Sequence, residues 1–461
     1  MNEVDTFARL PARLALHHTV QGLSLYSAIY MKNSTVFVCT KCDAQAPKWA
    51  GRCLSCGAWG TVREETPTVS TAKAAPVGPI RSPIKLSEVK GENVKRAPTG
   101  IGELDRVLGG GIVPGSLILI SGEPGVGKST LLLQVAAALP DALYISGEES
   151  ADQIAMRFSR LGLKSPTLSF LAETDLGAIL ATIGAAKPRM TIVDSLQTTI
   201  SGEIEAAGGA VSQVRGVTAA LMELAKRTGT SVLAVGQVNK DGDVAGPKML
   251  EHLVDVVVSF EGDRSSNYRL LRTTKNRFGA TDEVGVFEMT GLGLMEVKNP
   301  SAYFLHERAQ GVPGSAVTCL MEGTRPILVE IQALATKTAF GYPQRRASGF
   351  DLNRLQVILA LMTERLGIPT GAHDIHINVA GGYRVKEPAA DAAVALAVAS
   401  ALRNRALPNN VAAVGEVGLG GELRPVPNLD KRIAEAKRQG FTEVVSPTTY
   451  KSLKSVIEKF L

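Results

Sequence analysis

The chain has 461 residues, 20% charged and 45% hydrophobic, ordinary globular proportions that exclude a disordered protein and leave room for two or three domains. A net charge of +6 and a pI near 9.0 permit a polyanionic partner without requiring one. The longest wholly apolar run, Ala392 to Ala399, is far too short to cross a bilayer as a helix. Four of the five cysteines fall within eighteen residues, which points to metal binding in a reducing cytosol rather than a disulfide framework.

Residues 1–30 fit neither a secretory signal nor a transit peptide, because His17, His18 and Gln21 break their apolar positions and Glu3 and Asp5 stand at the front. Met31 is an alternative start, and residues 1–35 are set apart as an N-terminal extension. Cys39, Cys42, Cys53 and Cys56 form C-x2-C, ten residues, C-x2-C. Two such knuckles complete a tetrahedral four-thiolate zinc site with no open position for catalysis. Residues 36–62 therefore read as a structural zinc ribbon. Its Lys41, Lys48, Trp49, Arg52 and Trp59 suit DNA contact, protein contact or simple packing alike. Residues 63–85, rich in Pro, Thr and Ala, read as a linker.

From 86 to 298 strand and helix patterns alternate, as a mainly parallel sheet requires. The stretch Gly122, Glu123, Pro124, Gly125, Val126, Gly127, Lys128, Ser129, Thr130 matches the phosphate-binding loop G-x-x-x-x-G-K-[ST]. Its glycines let successive N–H groups turn toward phosphate oxygens, Lys128 brings charge to the β- and γ-phosphates, and the Ser129 hydroxyl ligates Mg²⁺. The setting fits: a strand at Leu117–Ser121 precedes the loop, and a helix from Ser129 follows, its N-terminus facing the anion. Further strands at 142–146, 190–195 and 231–237 end in Glu148 and Glu149, in Asp194, and in Gln237. Asp194 takes the Walker B place beside the metal ion and its waters, and Gln237 is placed to sense the γ-phosphate. Two glycine-rich loops, 200–214 and 239–248, leave the same carboxyl edge, the functional edge of such sheets. They are candidates for gripping a polymer, with Lys240 and Lys248 in the second and Arg215 just after the first.

The four-cysteine ribbon, the GEPGVGKST loop and the sequence Lys275, Asn276, Arg277, Phe278, Gly279, in that order, resemble the bacterial RadA (Sms) family of RecA-like DNA-repair ATPases, whose signature is KNRFG. The resemblance covers residue 36 to the C-terminus. It implies an α/β fold with a RecA-like core over 86–298, flanked by the ribbon and, over 299–461, an α+β domain similar to the proteolytic domain of Lon. It also implies ATP/ADP, Mg²⁺ and Zn²⁺ as cofactors and a homohexameric ring in the cytoplasm. The implied function is DNA-stimulated ATP hydrolysis in recombinational repair of DNA damage. That includes binding single-stranded and branched DNA and driving branch migration with the RecA recombinase, a replicative helicase being a further candidate partner. One of Glu148 and Glu149 then polarises the attacking water, with Glu149 favoured. Lys275 and Arg277 become fingers reaching a neighbouring subunit's nucleotide.

Aligned with the Ser–Lys dyad of Lon, this chain has Ala389 at the nucleophile and Arg432 at the lysine. Alanine has no nucleophilic atom and arginine stays protonated, so the resemblance implies no peptidase activity. The domain becomes a platform, with Arg345, Arg346, Arg354, Arg384, Lys386, Arg424, Lys431 and Arg432 as candidate phosphate contacts. His373 and His376 sit on an expected strand, where i, i+3 spacing turns them to opposite faces and argues against a metal pair. Two other classes compete. A Lon-type protease is disfavoured by Ala389 and Arg432. A KaiC-like signalling ATPase lacks both the ribbon and the Lon-like half.

Overall fold

The computed structural model describes residues 36–42, 44–46, 48–65, 85, 95–237, 247–262, 267–339 and 341–461. They fall into two units divided after Lys90. In the first, β1 (Val36–Cys39), β2 (Gln45–Ala46) and β3 (Val62–Glu65) form an antiparallel sheet in the order β2-β1-β3. Ribbon structure thus extends past residue 62, because Val36 to Cys39 pair in register with Glu65 to Val62.

The second unit begins with α1 (Gly102–Val107), β4 (Leu117–Gly122), α2 (Lys128–Ala138), β5 (Ala142–Ser146), α3 (Ala151–Arg160), β6 (Ser169–Ala172), α4 (Leu176–Ala186), β7 (Met190–Asp194), α5 (Val211–Thr228) and β8 (Ser231–Gln237). Next come α6 (Pro247–Leu250), β9 (Val256–Glu261), β10 (Tyr268–Asn276), β11 (Val284–Thr290) and β12 (Gly293–Glu296). The sheet order is β12-β11-β10-β9-β4-β8-β7-β5-β6. The six strands from β9 to β6 run parallel, while β10, β11 and β12 continue from β9 as antiparallel neighbours.

Strand β4 explains why the sheet needs helices on both faces. Leu117 and Leu119 pack with α4 and α5, whereas Ile118 and Ile120 pack with α1 and α2, as alternation in a strand dictates. All four are at most 1% exposed, and each burial stabilises by about 2 kcal/mol. Helix α5 takes in the last four residues of the expected 200–214 loop. Val214, Val217, Leu221 and Leu224 recur at helical spacing and are buried, which draws the chain into the helix early.

The remaining elements are α7 (Pro300–Leu305), β13 (Ser315–Glu322), β14 (Arg325–Lys337), β15 (Arg345–Ser348), α8 (Leu352–Leu366), β16 (His373–Val379), α9 (Asp391–Arg403), β17 (Val411–Ala413), β18 (Glu416–Val417), β19 (Leu423–Arg424), α10 (Leu429–Arg438), β20 (Glu443–Val445) and α11 (Leu453–Phe460). Strands β13, β14, β16 and β15 form a sheet in that order. Helix α9 is apolar on every side, and Asp391 to Ser400 are all buried, so it runs through the middle of this half. The core is continuous with the large sheet: Tyr268, Leu270, Val284 and Val286 belong to the same apolar cluster as Leu320, Ile358 and Leu396. Partly buried ion pairs Arg325–Glu103 and Arg272–Glu322 join the halves, and the Tyr268 hydroxyl donates to Gly382 O at 3.2 Å. No helix among the described residues is long and apolar enough to cross a membrane.

Candidate nucleotide and metal sites

The phosphate loop leaves β4 at Gly122, where φ is 158° and an added Cβ would lie 2.4 Å from Phe260 O. No side chain fits there. Glu123, Pro124 and Gly125 are exposed, Val126 is buried, and Gly127 caps α2 with φ 115°. Lys128 is 6% exposed and donates to Gly122 O at 2.7 Å and Glu123 O at 2.9 Å, which curls the loop around its own ammonium. Burial pushes that ammonium below its ordinary range, while Asp194 and Glu148 oppose the shift. Ser129 and Thr130 follow, half-buried, in the first turn of α2. From behind, Arg269 on β10, 9% exposed, donates from Nε to Val126 O at 3.2 Å.

The tips of β5, β7 and β8 lie together at the same edge. Ser146 pairs with Asp194, and Gly122 pairs with Gln237. Asp194 is 8% exposed and its Oδ2 accepts from the Tyr144 hydroxyl at 2.7 Å. Burial, with Asp194 alongside, raises the Tyr144 phenol well above its usual range, so it stays a donor. The Ser146 hydroxyl accepts from Glu148 N at 3.3 Å and Glu149 N at 3.0 Å, which holds the turn that carries both glutamates. Glu148 Oε1 accepts from the Ser195 hydroxyl at 2.9 Å, on the Lys128 side. Glu149 is instead paired with Arg157 of α3. The side chain of Gln237 lies outside the described residues, as do Lys240 and the side chain of Lys248. The Ile200–Val214 segment is drawn together by Gln213, whose buried amide bonds Ser201 N and O, Ile204 O and Ala206 O. Arg215 is exposed on α5.

The basic signature closes β10 at the opposite end of the sheet. Asn276 pairs with Val256, which pairs with Ile118 at the start of β4, four residues before Gly122. At about 3.3 Å per residue that is roughly 13 Å. Lys275 is not free as expected of a finger: its Nζ donates to Val254 O at 2.9 Å and to Glu251 O. Desolvation and then Arg277 lower its pKa. Arg277 is 51% exposed and pairs with Asp255 at 3.2 Å. The Phe278 carbonyl accepts from Arg96 at 2.5 Å, fixing the turn before exposed Gly279.

In the C-terminal half, Ala389 is fully buried and its carbonyl accepts from Gly415 N at 2.9 Å. Arg432 is 1% exposed, doubly bonded to Glu387 at 2.8 and 2.6 Å, and also bonded to Cys319 O and Pro427 O. It therefore cannot meet a phosphate, contrary to expectation. Its neighbour Cys319 is equally buried, and burial pushes the thiol up to about 12, so no substitute nucleophile stands there. Other expected phosphate contacts are also occupied. Arg345 bonds the carbonyls of Gln344, Thr370 and His373, Arg354 is paired with buried Asp391, and Arg424 with Glu422. Arg346, Lys386 and Lys431 are exposed.

In the ribbon the four cysteine sulfurs lie within 4.8 Å of one another, with Cys39–Cys56 at 3.8 Å and Cys42–Cys53 at 3.5 Å. A tetrahedral M–S₄ centre with bonds of about 2.3 Å has edges of about 3.8 Å, so the set fits a metal ion. The Thr61 hydroxyl beside Cys39 lowers that thiol to about 6, whereas burial raises Cys42 to about 12, a shift that a bound cation reverses. The ribbon's apolar cluster consists of Cys39, Cys53 and Val62 with Phe37, Cys42 and Ala44 against it. A core built largely from metal ligands does not hold without the metal. Cys42→Ser is accordingly expected to remove the bound metal, measured by elemental analysis of the purified chain; metal content equal to the unsubstituted chain would contradict the site.

Sequence reading had missed Tyr144, Arg269, Arg157 and Ser195. One left a trace: Tyr144 stands in the largely apolar, fully buried strand Ala142–Ser146, where its hydroxyl needs a partner.

Family models match three stretches of the chain: a rubredoxin metal binding domain over residues 37–64, an AAA domain over 83–243, and the Lon protease (S16) C-terminal proteolytic domain over 358–460. The DNA repair protein RadA of Halalkalibacterium halodurans is 47% identical over 424 residues, covering 90% of this chain and 93% of the relative. The proteins of the same name from Bacillus subtilis and Pseudomonas aeruginosa are 46% and 47% identical at the same coverage. Among solved structures, an isolated ATPase domain aligns with 46% of this chain and 95% of its own at 15% identity, with a TM-score of 0.39. With its four-cysteine ribbon, its phosphate loop set against Asp194 and Glu148, and near-full-length identity to these relatives, the chain belongs to the RadA family of DNA repair proteins.

Proposed function

We propose that the chain is a DNA-stimulated ATPase that acts in the cytoplasm on recombination intermediates, moving along single-stranded DNA and driving branch migration beside the RecA recombinase. The observation that carries the hydrolytic part is the convergence of Lys128, Asp194 and Glu148 at one strand edge behind the phosphate loop. Ser129 and Asp194 would hold Mg²⁺, which when bound neutralises charge on the phosphates. Tyr144 fixes one oxygen of Asp194, leaving the other to face the site. Glu148, rather than Glu149, is the candidate to orient water, because Arg157 already occupies Glu149. Glu148→Gln is expected to lower turnover about 10²-fold or more with nucleotide affinity kept, while Glu149→Gln costs less. A single-turnover assay separates them, and the reverse order would reassign the base.

The distance between the KNRFG turn and the chain's own phosphate loop supports action on a neighbouring subunit's nucleotide, within a homohexameric ring. Zinc is the ion we assign to the ribbon; iron would show as colour and as iron in elemental analysis. Buried Ala389 and Arg432 support the absence of peptidase activity, tested with fluorescent casein. The decisive experiment is steady-state ATP hydrolysis with and without single-stranded DNA at two salt concentrations. Stimulation that fades with salt is expected. No stimulation at either salt would overturn the DNA-motor reading.

A further inference from the structure

At the sheet edge opposite the phosphate loop, three segments meet around a cleft of about 480 Å³: Lys95–Ala97 before α1, Lys187–Arg189 between α4 and β7, and Thr228–Ser231 between α5 and β8. We infer that this cleft binds the phosphate backbone of nucleic acid, a second contact separate from the loops at the carboxyl edge; the inference rests on the DNA reading above. Four cations line it, Lys95, Arg96, Lys187 and Arg189, and no carboxylate does. Lys95, Lys187 and Arg189 are exposed, and among the described residues none has an ion-pair partner. Arg96 is fixed by two neutral acceptors, Leu108 O and Phe278 O.

The bland explanation is that these cations merely offset helix C-termini, since α4 ends at Lys187 and α5 at Gly229. Each end carries roughly half a negative charge, so two ends cancel about one of the four positive charges. An excess of about three remains. Beside the cleft, buried Asp255 is shared by Lys226 and Arg277, which adds one more net positive charge toward the KNRFG turn.

The chemistry also separates a polymer from a compact phosphate. A nucleotide site converges backbone N–H groups on the anion. Here the helices present carbonyl ends, and the donors are long side chains standing out in solvent. That arrangement suits a continuous phosphodiester backbone met by charge and not read by sequence.

The test uses the full-length chain and a fluorescein-labelled oligothymidylate, with affinity read by anisotropy between about 50 and 200 mM salt. The variant is Lys95→Ala, Lys187→Asn, Arg189→Ala; asparagine is chosen because Lys187 has φ 46°. Each single-strand phosphate contact contributes about 0.7 to the slope of log K against log salt, so losing three should flatten it by about 2. A control variant, Arg403→Ala, Lys437→Ala, Lys454→Ala, removes as many exposed cations elsewhere and should keep the slope. Equal slopes for parent and cleft variant, or equal flattening by the control, would overturn the cleft. So would a raised KM for ATP with DNA binding unchanged, which would make the cleft part of a nucleotide site. If the parent itself fails to bind the oligonucleotide, the DNA reading falls as well, and the two failures are thus distinguishable.

Discussion

Lys128→Ala is expected to lower ATP turnover by about 10³-fold, to background in an ordinary phosphate-release assay. Phosphoryl transfer asks the protein mainly for positioning and for positive charge where negative charge spreads, and loss of a single preorganised donor typically costs about 10²- to 10³-fold. Lys128 contributes twice. Its ammonium supplies the charge, and its bonds to Gly122 O and Glu123 O hold the loop in its curled form. Alanine removes both, so binding of nucleotide should weaken together with turnover. Lys128→Met would keep much of the volume but neither the charge nor the two bonds, and should fall as far. Turnover within about tenfold of the parent would mean that hydrolysis takes place elsewhere in the chain.

Arg432→Ala should destabilise the chain by about 2–4 kcal/mol, because two carbonyls lose a buried donor and Glu387, about a quarter exposed, loses its partner. Glu387 would lose both of its bonds from the guanidinium, and Cys319 O and Pro427 O would lose their donor. Replacing both members, Arg432→Met with Glu387→Met, removes the stranded charge and should cost only about 1–2 kcal/mol, for Cys319 O, Pro427 O and the Met321 N–H, which stay unpaired. Urea unfolding followed by circular dichroism measures both. If the single and double variants lose stability equally, the Arg432–Glu387 pair is not the source. Arg432→Lys should not revive peptide hydrolysis, since Ala389 offers no attacking atom.

Much of the nucleotide site was legible because its chemistry is local. A strand, a glycine turn and a helix start are fixed by residues within about ten positions of one another, and the phosphate loop, Asp194 and the paired glutamates each end an apolar run. What was not legible depends on partners far along the chain. Nothing near Arg432 distinguishes it from a surface arginine until Glu387, 45 positions earlier, is brought beneath it. Arg345 and Arg354 differ from exposed Arg346 in the same way. The choice between Glu148 and Glu149 turns on Arg157, in the helix that follows, and on the Ser195 hydroxyl, 47 positions later, which bonds Glu148 instead. The antiparallel strands β10 to β12 read as a continuation of the alternating pattern, yet they carry Arg269 to the phosphate loop and Arg272 to the C-terminal half.

Asp255 is a buried carboxylate with three donors: Leu117 N at 3.1 Å, Lys226 at 2.8 Å and Arg277 at 3.2 Å. A carboxylate served by only one cation would pin that cation in place, because withdrawing it would strand a buried charge. Here Arg277 can rotate outward while Lys226 and the Leu117 amide still serve Asp255, so its departure forfeits a half-exposed pair of about 1 kcal/mol or less and a long 3.4 Å bond to His252 O. Lys275 has no such understudy at the carbonyls of Glu251 and Val254. Of the two basic residues in the signature, one is built as an anchor and the other as a swinging arm.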